Sequence, residues 1–387
     1  MLNKLNSTFD DTNIANTNQE QTRFVIPKIA AVMTLFLSLS LISIISLADP
    51  YEPSKNEVIA NWDTSTYSKK KTLEQVSEHL QKAQFPGQAN IQHSMALSIL
   101  LQLAKEQEKN PQYWYLLARS LQHQHEFDRA IIALDKALTI EVNFPSAWLL
   151  KANILMTKTD FKEAQKACTQ LIGNTSLIMV ATCSLEVASY EGELLQSYNQ
   201  LSTIIQRSHT DGYSTDEQLF RIQVIADMAL RLGQKNNAKQ WVEKALKNRA
   251  LNDMPLSFIT LWADIQRELG AHDEIRKELN IILEHDGFKD DALLVRIAMA
   301  EKATNTNSSW QEQVERRVQL RLQRKDYYHA ADIARYFLYV KPSPEKALLW
   351  AQINYQQAQL FNDEKLLKEA EKINNINVQE GEKNVSG

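Results

Sequence analysis

The two cysteines of the chain, Cys168 and Cys183, are the first candidates for chemistry. Thiols about 15 residues apart can form a disulfide, pack as small apolar side chains or supply a nucleophile. A nucleophilic thiol needs a neighbouring base, and the sequence pattern places no histidine near either cysteine. We therefore predict a disulfide, with two buried thiols in a reducing compartment as the alternative.

The eight histidines of the chain do not cluster along the sequence. His123 and His125 form an HxH motif that could bind a metal, but no Cys, Asp or third His is spaced to complete the site. His272 and His285 each precede an aspartate at the end of a predicted helix, where capping or exposure explains them. The sequence predicts a solvated turn around His123 and His125, and no metal site.

Other catalytic patterns are missing from the sequence. It contains no serine triad, no GxGxxG and no GxxxxGK[ST] phosphate loop, and glycine occurs only 9 times in 387 residues. The net charge is −4, with acidic and basic residues interspersed, which gives no electrostatic case for a nucleic-acid partner. We predict a protein that is not an enzyme, needs no cofactor and binds no nucleic acid.

One basic stripe is a candidate binding element. Arg317, Arg321 and Arg324 recur at helical spacing on a helix predicted after Gln311. A charged face open to solvent is the simple interpretation. A docking strip for an acidic partner is the alternative.

The N-terminal region predicts a membrane anchor. Residues 29–47 are consecutive uncharged, mainly apolar residues. As a helix they would measure about 28 Å, enough to cross the hydrocarbon core of a bilayer. We assign a disordered polar tail to residues 1–23, the transmembrane anchor to 24–48 and a linker with two prolines to 49–67.

The orientation of the anchor follows from the basic residues around it. Lys4, Arg23 and Lys28 precede the apolar stretch, whereas only Lys55 lies in the first twenty residues after it. The positive-inside rule keeps the N-terminus in the cytoplasm and exports the rest, into the periplasm if the source is bacterial. A signal peptide cleaved near Ala48 and a reversed anchor with a cytosolic domain are the alternatives.

An internal repeat organises the chain after the linker. The segments 111–138 and 145–172 align with eight identities, including the prolines that begin both. Their shared apolar positions recur at intervals of three or four residues, which places them on one face of each of two helices. Large residues beside small ones let two helices interlock. The packing residues predicted in this way are Trp114, Ala118, Phe127, Ala130, Trp148, Ala152, Phe161 and Ala164.

These segments resemble the tetratricopeptide repeat (TPR), a 34-residue helix–turn–helix unit with the same order of aromatic and small residues. The pattern extends less regularly over residues 68–375, and residues 290–310 interrupt it. The resemblance implies an all-α fold, a right-handed α-solenoid of antiparallel helix pairs (TPR-like), preceded by one transmembrane helix. Residues 376–387 are assigned to a disordered C-terminal tail. In the repeat frame, Cys168 and Cys183 fall on adjacent helices.

The resemblance also implies where a partner binds, because tetratricopeptide stacks line a concave groove with exposed residues of their first helices. The residues of this chain at those places are Tyr115, Arg119, Gln122, Leu149, Asn153, Met156, Glu186, Tyr190, Gln223, Asp227 and Arg231, followed by Thr260, Asp264 and Arg267. Family members that hold a chaperone carboxylate use Lys and Asn there, and only Asn153 fits. We expect a protein or peptide partner of another kind.

The function expected from these features is a non-enzymatic scaffold or assembly factor, anchored in a membrane with its solenoid exported. One specialised form, by resemblance alone, is a factor for cytochrome c maturation, since such factors also combine an anchor with exported repeats. A cytosol-facing adaptor and a metal-handling or hydrolytic protein are the alternatives.

Overall fold

The computed structural model describes residues 71–208, 215–285, 289–306 and 308–385. In these residues the fold consists of helices and connecting turns, without a β-strand. The predicted anchor at 29–47, together with the tail at 1–23 and the linker at 49–67, lies outside them. Within the described ranges, no helix is both long and apolar enough to span a membrane.

The described residues contain 17 α-helices, and nearly every helix packs against the next one along the chain. Their bounds are α1 (Leu73–Lys82), α2 (Ala89–Leu103), α3 (Pro111–His123), α4 (Phe127–Ile140), α5 (Pro145–Thr157), α6 (Phe161–Thr169), α7 (Leu177–Tyr190), α8 (Leu194–Arg207), α9 (Thr215–Arg231), α10 (Lys235–Leu246), α11 (Leu256–Glu268), α12 (His272–His285), α13 (Asp291–Ala303), α14 (Ser309–Gln323), α15 (Ala330–Arg335), α16 (Pro344–Gln357) and α17 (Phe361–Val385). A 3₁₀ turn at Leu251–Asp253 precedes α11, and a π-helical turn at Tyr336–Val340 follows α15.

Prolines and polar caps start the helices of the two strongest repeats. Pro111 and Pro145 occupy the first turns of α3 and α5, where the missing backbone N–H removes no helical hydrogen bond. The Asn110 side chain accepts a hydrogen bond of 3.0 Å from the backbone N–H of Gln112. The predicted starts of these helices are therefore explained by local chemistry.

The turns inside the helix pairs repeat with the same spacing. His125 and Thr159, at equivalent positions of the two strongest repeats, have φ angles of 56° and 59° in the left-handed region. Gly192 and Gly233 take the corresponding turn positions of later pairs, with φ of 98° and 72°. Glycine accepts such angles without strain, whereas His125 and Thr159 do so at a cost.

The predicted small residues lie in the core of the first two repeats. Ala118, Ala130 and Ala164 are fully buried, and Ala152 is only 1% exposed. The predicted aromatic residues are half-buried around them. Small side chains therefore let the helices of a pair approach closely, as the spacing predicted.

The two repeat tryptophans tie the helices to the preceding turns. Trp114 Nε1 donates to the Glu108 carbonyl and Trp148 Nε1 donates to the Val142 carbonyl, each at 2.8 Å. The two bonds occupy equivalent positions in successive repeats. Each indole therefore satisfies a polar group at the junction between units.

The first helix pair meets a part of the array that lies much later in the sequence. The backbone N–H of Gly87 donates to Asp290 Oδ2 at 2.6 Å, across 203 residues. Leu256 N–H donates to the Gln84 carbonyl at 2.7 Å. The stack of helices therefore turns back towards its own start.

Two later regions depart from the repeat pattern. The interruption predicted at 290–310 contains α13, in which every residue from Leu293 to Glu301 is buried. Because α13 is covered on all sides, its sequence lacks the one-sided pattern of a repeat helix. The last helix, α17, continues to Val385, past residue 375 where the solenoid was expected to end.

Candidate partner-binding surface

The predicted groove residues lie along the inner helices α3, α5, α7, α9 and α11, and the structure divides them into two sets. Tyr115, Arg119 and Gln122 line a cavity of about 970 Å³, which we call the open groove. Leu256 and Arg321 belong to other parts of its wall. Residues farther along the array contact the C-terminal segment of the same chain.

The α3 side of the open groove is held in place by hydrogen bonds. Arg119 Nη2 donates to the Leu80 carbonyl at 3.1 Å, and its guanidinium lies 5.9 Å from the centre of the Tyr115 ring. Gln122 Nε2 donates to Asn153 Oδ1 at 2.9 Å, which links α3 to α5. These polar side chains are therefore positioned before any ligand arrives.

The opposite wall carries the predicted basic stripe, and the structure shows that two of its three arginines have acidic partners within the chain. Arg317 and Arg321 both form ion pairs with Asp291, and Arg321 also pairs with Asp326 at 2.7 Å. Only Arg324 of the stripe lies at the exposed end of α14. Two of the three positive charges are thus neutralised within the chain, which weakens the docking interpretation.

Histidines do cluster in the structure, contrary to the sequence expectation. The rings of His93 and His123 stack with centroids 3.7 Å apart, and the ring centroids of His125 and His329 are 5.8 Å apart. His93, His123 and His329 line both the open groove and an adjoining cavity of about 1000 Å³. The predicted solvated turn is half-buried, because Tyr328 and His329 of the returning chain lie beside His125.

Partial burial lowers the pKa of His93 and of His123. It lowers the pKa of His93 to about 3, and the nearby His123 and Arg119 add to the shift. Burial also lowers the pKa of His123 to about 4, with contributions from His329 and His125. The described part of the chain has no group of three or more His, Cys, Asp or Glu side chains that could hold a metal ion.

Four predicted groove residues meet at the centre of the array, around the guanidinium of Arg231. Arg231 Nε donates to Asp227 Oδ2 at 2.8 Å, and Arg231 Nη2 donates to Ser189 Oγ at 2.6 Å. The guanidinium lies 4.0 Å from the centre of the Tyr190 ring. Its side chain is only 2% exposed. We call Glu186, Tyr190, Asp227 and Arg231 the central cluster.

Burial shifts the acid groups of the central cluster towards their neutral forms. It raises the pKa of Glu186 to about 8, and the Asp227 carboxylate adds to this shift while Arg231 opposes it. Burial also raises the pKa of Asp227 and of Tyr190. These groups therefore need polar partners to remain inside the array.

The C-terminal segment, residues 358–369, supplies part of that cover. Asn362 hydrogen-bonds to Asp227, and Asp363 lies close enough to Tyr190 to raise its pKa further. Lys365 Nζ donates to Glu268 Oε1 at 2.9 Å, at the end of α11. This half of the predicted groove is thus occupied by the chain itself.

The remaining groove predictions fall in different environments. Met156 is 3% exposed and belongs to the core around the cysteines, so it is not available on the surface. Leu149 packs against the same core. Gln223 Nε2 donates to Ser257 Oγ at 3.0 Å between α9 and α11. The repeat frame predicted an exposed side chain at Met156, but packing against the core around the cysteines covers it.

Asp264 has a structural partner. Arg296 donates to its two carboxylate oxygens at 2.9 and 2.7 Å, and the Arg296 side chain is 8% exposed. Burial works against the charge of Asp264, but the guanidinium outweighs it and lowers the pKa of the carboxyl. Thr260 lines the open groove, and Arg267 lies beside a small cavity at the C-terminal segment.

The two cysteines are joined in the structure. Cys168 lies on α6 and Cys183 on α7, with Cα atoms 5.6 Å apart, and both side chains are buried. Leu360 of the C-terminal segment packs against this core. This disulfide ties two successive repeat units together, because it joins α6 to α7, the helix that carries Glu186 and Tyr190 of the central cluster.

A family model of the tetratricopeptide repeat matches residues 111–141 and 222–250. The first match covers α3 and α4, which contain the first predicted repeat, and the second covers most of α9 and α10. No curated protein gave a significant match to the sequence.

Solved structures show a distant likeness. A PilF protein from Pseudomonas aeruginosa is 17% identical, with a TM-score of 0.37, and the match covers 53% of this chain and 90% of that one. A tetratricopeptide repeat protein from Parabacteroides merdae is 15% identical, with a TM-score of 0.39 and coverage of 67% and 98%. Both scores are low, so the fold assignment rests on the helices and the two family matches. Two stretches of the chain thus match the tetratricopeptide repeat, and the residues that the structure describes form an all-helical array of packed helices.

Proposed function

We propose that this chain is a non-enzymatic scaffold that binds a segment of another protein in the open groove. The observation that carries this proposal is the cavity of about 970 Å³ with Tyr115, Arg119 and Gln122 on its wall. This volume is at the upper end of ordinary ligand pockets, so it accommodates a short extended peptide and not a folded domain.

The chemistry of the wall favours a polar segment. Arg119 and Gln122 are already oriented by hydrogen bonds to Leu80 and Asn153, so binding orders few additional side chains. Tyr115 adds a rigid aromatic surface, tilted against Phe144 with ring centroids 5.0 Å apart. A peptide with an acidic or amide side chain next to an apolar one would match this arrangement.

Site-specific cross-linking in living cells tests the proposed groove. A photoreactive residue at Gln122 is expected to give an adduct with one defined protein. The matched control is the same residue at Gln240, an exposed glutamine of α10 that does not line the groove. Equal adducts from both positions, or none from Gln122, would show that the groove does not bind a partner.

We further propose that residues 29–47 anchor the protein in a membrane and that the helical array is exported. The support is the uncharged apolar stretch, the basic residues on its N-terminal side and a cysteine pair suited to an oxidising compartment. A reporter enzyme that works only outside the cytoplasm, fused after Lys71, should be active. Activity of a cytoplasmic reporter at that position would reverse the assignment.

A further inference from the structure

The C-terminal segment crosses the inner surface of four successive units. The backbone N–H of Gln359 donates to the Thr157 carbonyl at the end of α5, at 3.4 Å. Asn362 then bonds to Asp227 of α9, and Lys365 reaches Glu268 of α11. The segment therefore follows the path that the predicted groove residues mark out.

The contacts that hold α17 in place are of two kinds. Leu366 and Ala370 are 4% and 0% exposed and belong to the main apolar core. Asn362 and Lys365 instead make polar contacts to the inner helices, and Phe361 keeps 37% of its surface exposed. Exposed ion pairs contribute little net stability, so the polar contacts are the ones that can be exchanged.

A small cavity of about 60 Å³ lies between the segment and the inner surface, lined by Leu230 and Leu261 on one side and by Phe361 and Leu366 on the other. The charged side chains of Arg267, Lys365 and Glu369 also line it. This part of the contact is therefore polar and open, unlike the sealed apolar packing around Leu366 and Ala370.

The surface under the segment carries charged groups that need a partner. Arg231 is 2% exposed, and its partner Asp227 accepts a further hydrogen bond from Asn362. Removal of the segment would leave Asp227 and Glu268 with fewer polar partners. Buried polar groups favour a replacement that restores those bonds.

We propose that the inner surface of α7, α9 and α11 is a second protein-binding site, which residues 359–365 occupy as an internal ligand. The external ligand is a segment of another protein that begins a helix as residues 359–365 do. It has an apolar residue at the position of Leu360, Asn or Asp at the position of Asn362, and Lys three residues later. That spacing puts the last two side chains on one helix face.

The second site shares Thr157 with the wall of the open groove, but its polar contacts to Asp227 and Glu268 lie outside that groove, so the two proposals can fail independently. A ligand for the central site must displace residues 359–365. Its apparent affinity is therefore the intrinsic affinity multiplied by the fraction of molecules in which the segment has left the site. The C-terminal segment thus regulates access to the central cluster.

Peptide binding to the full chain tests this proposal. The probe is a fluorescent synthetic peptide of residues 357–372, followed by anisotropy. Asn362→Ala combined with Lys365→Ala in the chain should weaken the internal ligand and increase the affinity for the peptide about tenfold. The control is Lys368→Ala, because Lys368 is 69% exposed and pairs with Glu364 of its own helix.

The peptide contacts can be assigned with one further pair of variants. In the chain with Asn362→Ala and Lys365→Ala, adding Glu268→Gln should lower the affinity for the peptide about fivefold. The same change should leave the affinity for a Lys365→Ala peptide unaltered. Equal losses for both peptides would mean that Lys365 does not bind Glu268 in this site.

A covalent lock provides a measurement that does not depend on weakening the fold. Thr157→Cys with Gln359→Cys should form a disulfide that holds the segment in place and abolishes peptide binding, and Gln359→Cys alone should not. If the locked protein binds the peptide as well as the wild type, the proposal is wrong. It is equally wrong if the folded Asn362→Ala, Lys365→Ala chain binds the peptide no better than wild type.

Discussion

The open groove and the central cluster come from equivalent positions of the repeat, yet they have opposite environments. Arg119 in the open groove is half-buried, donates to a backbone carbonyl and faces a cavity of about 970 Å³. Arg231 in the central cluster is 2% exposed, pairs with Asp227 and lies under the C-terminal segment. Repeat position alone therefore does not decide whether a side chain is available to a partner.

The difference arises from contacts between residues far apart in the sequence. Helix pairs build the inner surface locally, one unit against the next. Residues 358–369 then cover only one part of this inner surface. They reach α9 and α11 but leave the α3 side accessible. Occupancy of the surface is thus a property of the whole array.

The largest expected effect separates the two arginines. Arg231→Met keeps the aliphatic part of the side chain but leaves Asp227 buried without its cation, so the free energy of unfolding should fall by about 3 kcal/mol. Arg119→Met removes one half-exposed hydrogen bond and should cost about 1 kcal/mol or less. Urea unfolding of both variants measures the difference. Equal losses would contradict the environments described for the two sites.

The cysteine pair below the central cluster should have a slightly smaller effect. Replacing Cys168 and Cys183 by serine opens a loop of 15 residues, for which a loss of about 3 kcal/mol is the upper estimate. Mass measurement under non-reducing conditions tests the pairing itself. Two free thiols in protein taken from the exported compartment would refute the predicted disulfide.

Acid should destabilise the histidine side of the open groove. The folded pKa values of His93 and His123, about 3 and about 4, lie below the ordinary value of 6.5. Their contribution to stability is therefore complete above pH 6.5 and is lost as the pH falls towards 4. The full shifts correspond to about 2 kcal/mol for each ring between pH 7 and pH 5, and because both rings are half-exposed to solvent we expect a total loss of about 2 kcal/mol. His123→Gln should flatten this dependence, and an unchanged pH profile would be inconsistent with a buried neutral ring.

The central cluster should respond to pH in the opposite direction. The pKa of Glu186 is raised from 4.5 to about 8, so its contribution to stability is present below pH 4.5 and is lost as the pH rises towards 8. The protection of α7 amides, corrected for the pH dependence of intrinsic exchange, should fall over that range, while the protection of α3 amides should not. Glu186→Gln is expected to remove the fall in protection, and its persistence would assign the effect to another group.

Much of the helical framework could be predicted from the sequence, because its causes are local. Pro111 and Pro145 begin their helices, and Ala118 and Ala130 are buried where the spacing placed them. These positions depend on neighbours within one repeat unit. The repeat pattern therefore predicts them well.

The state of the candidate surface could not be predicted in the same way. His125 and His329 meet across more than two hundred residues, and Lys365 reaches Glu268 across 97. Such contacts depend on the curvature accumulated over many units, which no single repeat encodes. Met156 was predicted to be exposed in the groove but is buried, and only its packing against the core around the cysteines shows this.

Zero-length cross-linking of the unmodified chain tests most directly whether the C-terminal segment covers the central part of the inner surface. A carbodiimide joins carboxylates to amines that are in contact, and Glu268 lies near both Lys235 and Lys365, at 3.5 and 2.9 Å. Lys235 is a neighbour within the repeat array and serves as the internal control. We predict that mass spectrometry will find both links, in comparable yield. A Lys235–Glu268 link without any Lys365–Glu268 link would show that the C-terminal segment does not occupy the central site.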